Sequence, residues 1–231
     1  MLAPVIAALL VPQARLSFDQ IEELKHKAYR SLADFRESLV VEISAENQKR
    51  TWILTQRIQG AKLRLTLFVD GVKQIDVGHD GSKQFAILHP TKQYRVFSGP
   101  NRSYQSKFQK PDYSKSPVGD FSFNFQDGYN VRFMANPPLK VSSDSIVDLN
   151  GVPARKVVAS TTVEPGKRYV TVTQYFYTDR WILRAFLVEG RGKTGPFKIQ
   201  GAAQTTFAAA SKPGMFKMDP NLVKGYKLVK S

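Results

Sequence analysis

The chain has 231 residues, 42% of them hydrophobic, which suits one strand-rich domain with a real core and excludes wholesale disorder. Cysteine is absent, which removes disulfides, thiolate metal sites, a cysteine nucleophile and any cysteine that a lipid anchor could modify. Lys+Arg number 34 against 19 Asp+Glu, a formal charge of +15, so polyanions or anionic lipid surfaces are attracted; the cations are spread along the chain and read first as solvated strand faces and loops.

The first eleven residues, MLAPVIAALLV, form an apolar run of signal-peptide length with a small residue at Ala14, too short to span a bilayer, where about twenty residues are needed. Residues 1–14 are therefore read as an export signal, the alternative being a buried helix or strand, and 15–231 as a single domain. Ser17 and Gln20 fit a capping box, and Phe18, Ile21, Leu24, Ala28, Leu32 and Phe35 recur at helical spacing.

Period-two alternation then takes over. Leu39, Val41 and Ile43 are followed by Trp52, Leu54, Gln56 and Ile58, then by Leu63, Leu65, Leu67 and Val69. Asp70-Gly71 is a strong tight-hairpin signal, because both residues accept positive φ, and the pattern predicts an antiparallel meander. It continues through Ile75 and Val77, an Asp80-Gly81 turn, and strands over 85–88 and 93–97. Residues 98–119 turn polar and proline-rich and are expected to be a long loop, a candidate lid or contact segment. Phe121, Phe123 and Phe125 alternate, whereas 131–134 is ambiguous between strand and helical turn. Strands are expected again over 146–149, 154–160, 169–178, 181–189 and 197–207, with turns at Asn150-Gly151 and Pro165-Gly166. A short tail follows, with Phe216, Met218, Leu222, Tyr226 and Leu228 as anchors.

Chemistry has little to stand on. His26, His79 and His89 sit at no metal-ligand spacing and read as surface or turn residues, and Asp80 is explained by its turn. No nucleophile elbow, phosphate-cradling glycine loop or paired acidic motif is present. The expectation is a binding protein, not an enzyme, with no cofactor and no metal. Aromatic residues interleaved with cations fit a nucleic-acid platform, the wall of a cavity between sheet and helix, or plain core packing.

The order of elements carries a resemblance. The helix, the strand with Lys62-Leu63-Arg64-Leu65, the Asp80-Gly81 turn and Pro90-Thr91-Lys92-Gln93-Tyr94 resemble the lipoprotein-carrier superfamily of LolA, LolB and the RseB sensor domain. Leu149-Asn150-Gly151-Val152-Pro153, Trp181-Ile182-Leu183-Arg184 and the closing Phe216-Lys217-Met218-Asp219-Pro220 are similar to its later pieces. The resemblance implies an α+β fold, mostly antiparallel β: an incomplete, half-open barrel wrapped around an N-terminal helix and a lid segment, although 121–134 lacks the helical lid pattern. It implies an exported, periplasmic, monomeric carrier whose apolar cavity holds lipid or lipoprotein acyl chains beside an anionic membrane. The ligand-binding residues expected on that basis are Arg64, which would hold the lid or meet a head group, and Trp52, Leu54, Leu63, Leu65, Leu67, Phe85, Phe176 and Phe186. The alternatives are an envelope sensor domain with a protein partner and a nucleic-acid or polyanion-binding module, which an exported protein would rarely serve.

Overall fold

The computed structural model describes residues 16–45, 48–98, 121–126, 130–208, 211–212 and 214–229. The expected signal at 1–14 and nearly all of the expected loop at 98–119 lie outside these.

Helix α1 (Phe18–Ser31) begins at the expected capping box: the Gln20 N–H donates to Ser17 Oγ at 3.2 Å, and the Ser17 N–H donates to Gln20 Oε1 at 2.7 Å. It stops at Leu32, whose backbone is extended. Phe35, expected on the helix stripe, therefore stands in the first strand, where alternation with Leu39 and Val41 places it on the same sheet face.

The strands are β1 (Asp34–Ala45), β2 (Gln48–Gln59), β3 (Lys62–Val69), β4 (Val72–His79), β5 (Lys83–Leu88), β6 (Gln93–Ser98), β7 (Phe121–Gln126), β8 (Asn130–Ala135), β9 (Lys140–Leu149), β10 (Val152–Glu164), β11 (Arg168–Tyr177), β12 (Leu183–Arg191), β13 (Pro196–Phe207) and β14 (Lys227–Leu228). Twelve of them form one sheet in the order β14-β6-β5-β4-β3-β2-β1-β13-β12-β11-β10-β9, and β7 and β8 pair separately. Every neighbouring pair is antiparallel except β14 with β6. Among the described residues the end strands β14 and β9 do not pair with each other, so the sheet is open. This is the half-open antiparallel architecture around one helix that the resemblance implied, with a hairpin, β7–β8, where a lid segment was expected.

The turns work as their residues dictate. Asp70 and Gly71 take φ of 49° and 78°, and Asn150 and Gly151 take 56° and 79°, the paired positive angles of a tight hairpin. Their twist suits the flanking strands, and each sets a register without a bulge at the turn itself.

One face of the sheet is concave toward α1 and β8. Phe18 and Ile21 pack there with Leu39, Val41, Leu54, Leu65, Val77, Val157, Val172, Phe186 and Val188, and β8 adds Val131 and Phe133. A second cluster of Tyr29, Phe35, Ile58, Leu63 and Ile182 closes one end. Gly201 shows how tightly the face is built, because a Cβ there would lie 2.2 Å from the Phe186 ring. Phe186 in turn meets Phe133 edge-on at 5.0 Å between centroids. Gly201→Ala is expected to destabilise the protein by about 1–3 kcal/mol through overpacking, measurable by urea unfolding.

Residues 131–134, ambiguous between strand and helical turn in the sequence, are strand within β8. The structure departs from expectation at Trp181, β9, His79 and His26. Trp181 sits in the turn before β12. β9 begins at Lys140, earlier than expected, because its stretch from Ser142 to Ser145 is polar on both faces and gives no alternation. His79 and His26 are buried, 1% and 9% exposed: His79 lies on β4 opposite Leu63, with Nδ1 2.8 Å from the Ala61 carbonyl, and His26 lies on the buried side of α1.

Candidate functional site

The concave face carries two apolar clusters, with buried polar groups between them, and is fully buried at one end and half-buried at the other. The antiparallel register fixes which is which. α1 runs from Phe18, in the main cluster, to Tyr29, in the cluster at the end where β1 starts and β2 finishes. Toward the other end of these strands the same face carries Ile43, Trp52, Leu67 and Ile75, half-buried and packed against the core. Trp52 lies opposite Val41, Leu54 opposite Leu67, and Leu67 opposite Ile75. These side chains thus form a wall across β1 to β4 that continues into the buried interior.

The expected ligand residues divide by strand alternation. Trp52, Leu54, Leu65, Leu67, Phe176 and Phe186 all stand on the concave face in the main cluster, and Leu63 stands in the end cluster. Arg64 and Phe85 are on the reverse face. Arg64 is one residue out of phase with Leu63 and Leu65, and Phe85 faces Gly78, whose added Cβ would lie 2.3 Å from the ring. That glycine leaves room for the Arg64 guanidinium to stack on the Phe85 ring at 4.9 Å. Arg64 also donates to Asp76 Oδ2 at 2.6 Å and to the Lys217 carbonyl at 3.2 Å, so it ties β3 and β4 to the C-terminal segment.

Polar groups inside the concave face escaped the sequence reading. Lys25 is fully buried and donates to Glu22 Oε1 at 2.7 Å and to Gln174 Oε1 at 3.1 Å. Gln174 Nε2 donates to the same Glu22 oxygen at 2.9 Å, and the Phe133 N–H reaches Glu22 Oε2 at 3.4 Å. The Lys25 ammonium also lies 5.0 Å from the Phe133 ring centre. Helix, β11 and β8 are thus joined by one charged junction in an apolar setting. Burial pushes the Lys25 ammonium below its usual pKa, with Glu22 opposing.

A second junction holds Glu37. Its carboxyl accepts from Tyr29 Oη at 3.0 Å, Gln56 Nε2 at 2.6 Å and Thr205 Oγ1 at 3.3 Å. Burial raises it to about 7 against those three donors. The sequence did hold a signal: Lys25 sits four residues after Ile21 and four before Tyr29, on the apolar stripe, where a long charged residue is out of pattern. Glu37 likewise shares the Phe35, Leu39 and Val41 phase.

The C-terminal segment crosses the reverse face on the β2 to β6 side. Arg57 Nε donates to Ser211 Oγ at 2.7 Å, Phe216 is buried, and the Tyr226 hydroxyl lies 3.0 Å from His89 Nδ1. β14 then adds to β6 with Lys227 opposite Gln93. At the Asp80-Gly81 turn, the Ser82 and Lys83 N–H groups donate to Asp80 Oδ1 and hold its carboxyl at about 2.

No family model and no curated protein matches the chain. Solved structures similar to it include an uncharacterized conserved protein from Thermus thermophilus, at 11% identity and a TM-score of 0.47 over 91% of this chain and 98% of that one. The Pseudomonas aeruginosa MucA/MucB complex is similar at 13% identity and a TM-score of 0.41, over 86% of this chain and 61% of that one. A LolA superfamily protein from Nitrosomonas europaea is similar at 8% identity and a TM-score of 0.31, over 89% and 99%. At these identities and TM-scores the similarities assign no function to the chain.

Proposed function

We propose that this chain is an exported carrier that shelters an acyl chain of a lipid or lipoprotein between the concave face of its sheet and the layer formed by α1 and the β7–β8 hairpin. The observation that carries the reading is the half-buried wall of Ile43, Trp52, Leu67 and Ile75, which leads into the apolar interior from the end opposite the Tyr29 cluster. An acyl chain laid along such a wall gains about 0.8 kcal/mol per methylene removed from water, so a few contacts give useful affinity. The net charge of +15 favours meeting that ligand at an anionic membrane surface.

The test is displacement of a fluorescent fatty-acid probe, together with lipid extraction of the purified protein. Leu67→Asp places a carboxylate on the wall at a half-buried position that tolerates it. Its burial against an acyl chain should weaken probe binding at least roughly tenfold while the protein stays folded. A protein that carries no lipid and ignores the probe would end this reading.

A second reading, a regulatory domain with a protein partner, draws on β9. Among the described residues it pairs only with β10, which leaves one backbone edge open to an added strand.

A further inference from the structure

The reverse face of the sheet carries a row of arginines. Arg36 on β1 stands directly opposite Arg57 on β2, and Arg57 directly opposite Arg64 on β3. All three side chains project from the same face, away from α1. Like charges directly opposite on neighbouring strands repel, so a row of three is a local cost to the fold.

The C-terminal segment adds two cations, Lys212 and Lys217, and one carboxylate, Asp219. It passes over the row and leaves a cleft of about 780 Å³, lined by the three arginines with Lys212, Lys217 and Met215, among others. Asp76 answers the charge of Arg64. Arg36, Lys212 and Lys217 are exposed and have no carboxylate partner among the described residues. Two acids also line the cleft. Glu37 turns its carboxyl to the opposite face, toward Tyr29, and Asp219 accepts from the Asn221 N–H at the start of a short 3-10 turn.

The guanidiniums are also held in place. Arg64 is fixed by Asp76, the Lys217 carbonyl and the Phe85 ring, and Arg57, 8% exposed, by Ser211. Arginines whose planes are set beforehand bind oxyanions through paired N–H donors at little entropic cost.

We propose that this cleft, between the arginine row and the C-terminal segment, is a binding site for a phosphate-bearing anion. The chemistry is shared by a phosphorylated small molecule and by the head group of an anionic phospholipid. The site is separated from the concave face by the sheet itself and does not rest on the acyl-chain reading.

The experiment uses the full chain at about physiological salt, where loosely held counter-ions are screened beyond roughly 8 Å. Calorimetric titration with inorganic pyrophosphate is paired with co-sedimentation on vesicles of phosphatidylglycerol or of phosphatidylcholine. The variants are Arg36→Glu with Lys217→Glu, the milder Arg36→Gln with Lys217→Gln, and the control Lys193→Glu in the β12–β13 connection, each checked for folding by circular dichroism. Pyrophosphate binding that falls at least roughly tenfold in the paired variants and is unchanged in the control supports the site. Loss of phosphatidylglycerol binding in the same variants assigns the head group as the source, and its persistence assigns a soluble phosphate compound. Absence of pyrophosphate binding, or an equal loss in Lys193→Glu, overturns the proposal.

Discussion

Lys25→Met is expected to destabilise the protein by about 3–5 kcal/mol, because it leaves the Glu22 carboxyl buried without its cation. Glu22 would keep the Gln174 amide and the distant Phe133 N–H, which satisfy oxygens but do not balance a charge. Methionine matches the length of the lysine stem, so little of the loss is cavity formation. Removing both charges, with Glu22→Leu and Lys25→Met together, should recover only part of the loss: a buried ion pair replaced by apolar groups is often neutral or stabilising, but the buried Gln174 amide loses both of its partners. Urea unfolding of the two singles and the double forms the cycle. A single variant within about 1 kcal/mol of the parent, inside the range of an exposed pair, would mean that the junction is not desolvated as the structure has it. The junction also joins α1 to β11 and β8, so the same variants should loosen the layer that covers the proposed acyl site.

The second large effect is a pH dependence centred on Glu37. Its carboxyl lies near 4.5 when unfolded and is raised to about 7 by burial in the fold. The folded protein therefore holds a proton that the unfolded chain has released between those values. A raised folded pKa gives stability that is full below the unfolded value and is lost as pH rises through the folded one. Between pH 4.5 and 7 the loss amounts to about 3 kcal/mol. His89 works in the other direction, since burial lowers its imidazole below the usual value, so the informative quantity is a difference between proteins. Glu37→Gln keeps an amide among Tyr29, Gln56 and Thr205, and should flatten the profile relative to the parent. Unfolding free energies measured at about pH 5 and pH 8, on either side of the raised value, give the answer, and parallel profiles would remove Glu37 as the cause.

Much of the fold was legible because local rules and packing agree. The Asp70-Gly71 and Asn150-Gly151 turns need two positive φ angles and carry the residues that accept them, and the alternation of β1 to β3 matches a sheet with one buried face. Legibility failed where an element has no contrasting faces. β9 is polar on both sides along Ser142 to Ser145, and only its pairing with β10 makes it a strand. β14 is two exposed residues whose parallel pairing with β6 depends on the course of the C-terminal segment and on no local pattern.

At the site, the apolar wall was readable from period-two spacing. Its division between two faces was not, since Phe85 reads as an interior aromatic until Gly78 opposite it is seen to leave its ring space on the reverse side. The buried Lys25 and Glu37 share the difficulty. Each looks like an ordinary charged residue until the phase of its neighbours is taken into account. The arginine row was hidden for another reason: Arg36, Arg57 and Arg64 are scattered in sequence, and only the strand register lines them up.

The central claim, that an acyl chain lies along the concave face, is open to a contact measurement. The chain has two tryptophans, Trp52 on the wall and Trp181 beside Phe176 with the Arg155 guanidinium over its ring. In a Trp181→Phe variant, fluorescence reports on Trp52 alone. Titration with a fatty acid brominated along its chain should quench that emission saturably, near one ligand per protein, while the unbrominated acid competes the quenching away. Emission that brominated acid leaves unchanged, at concentrations where it binds the protein, would place the ligand elsewhere and contradict the account.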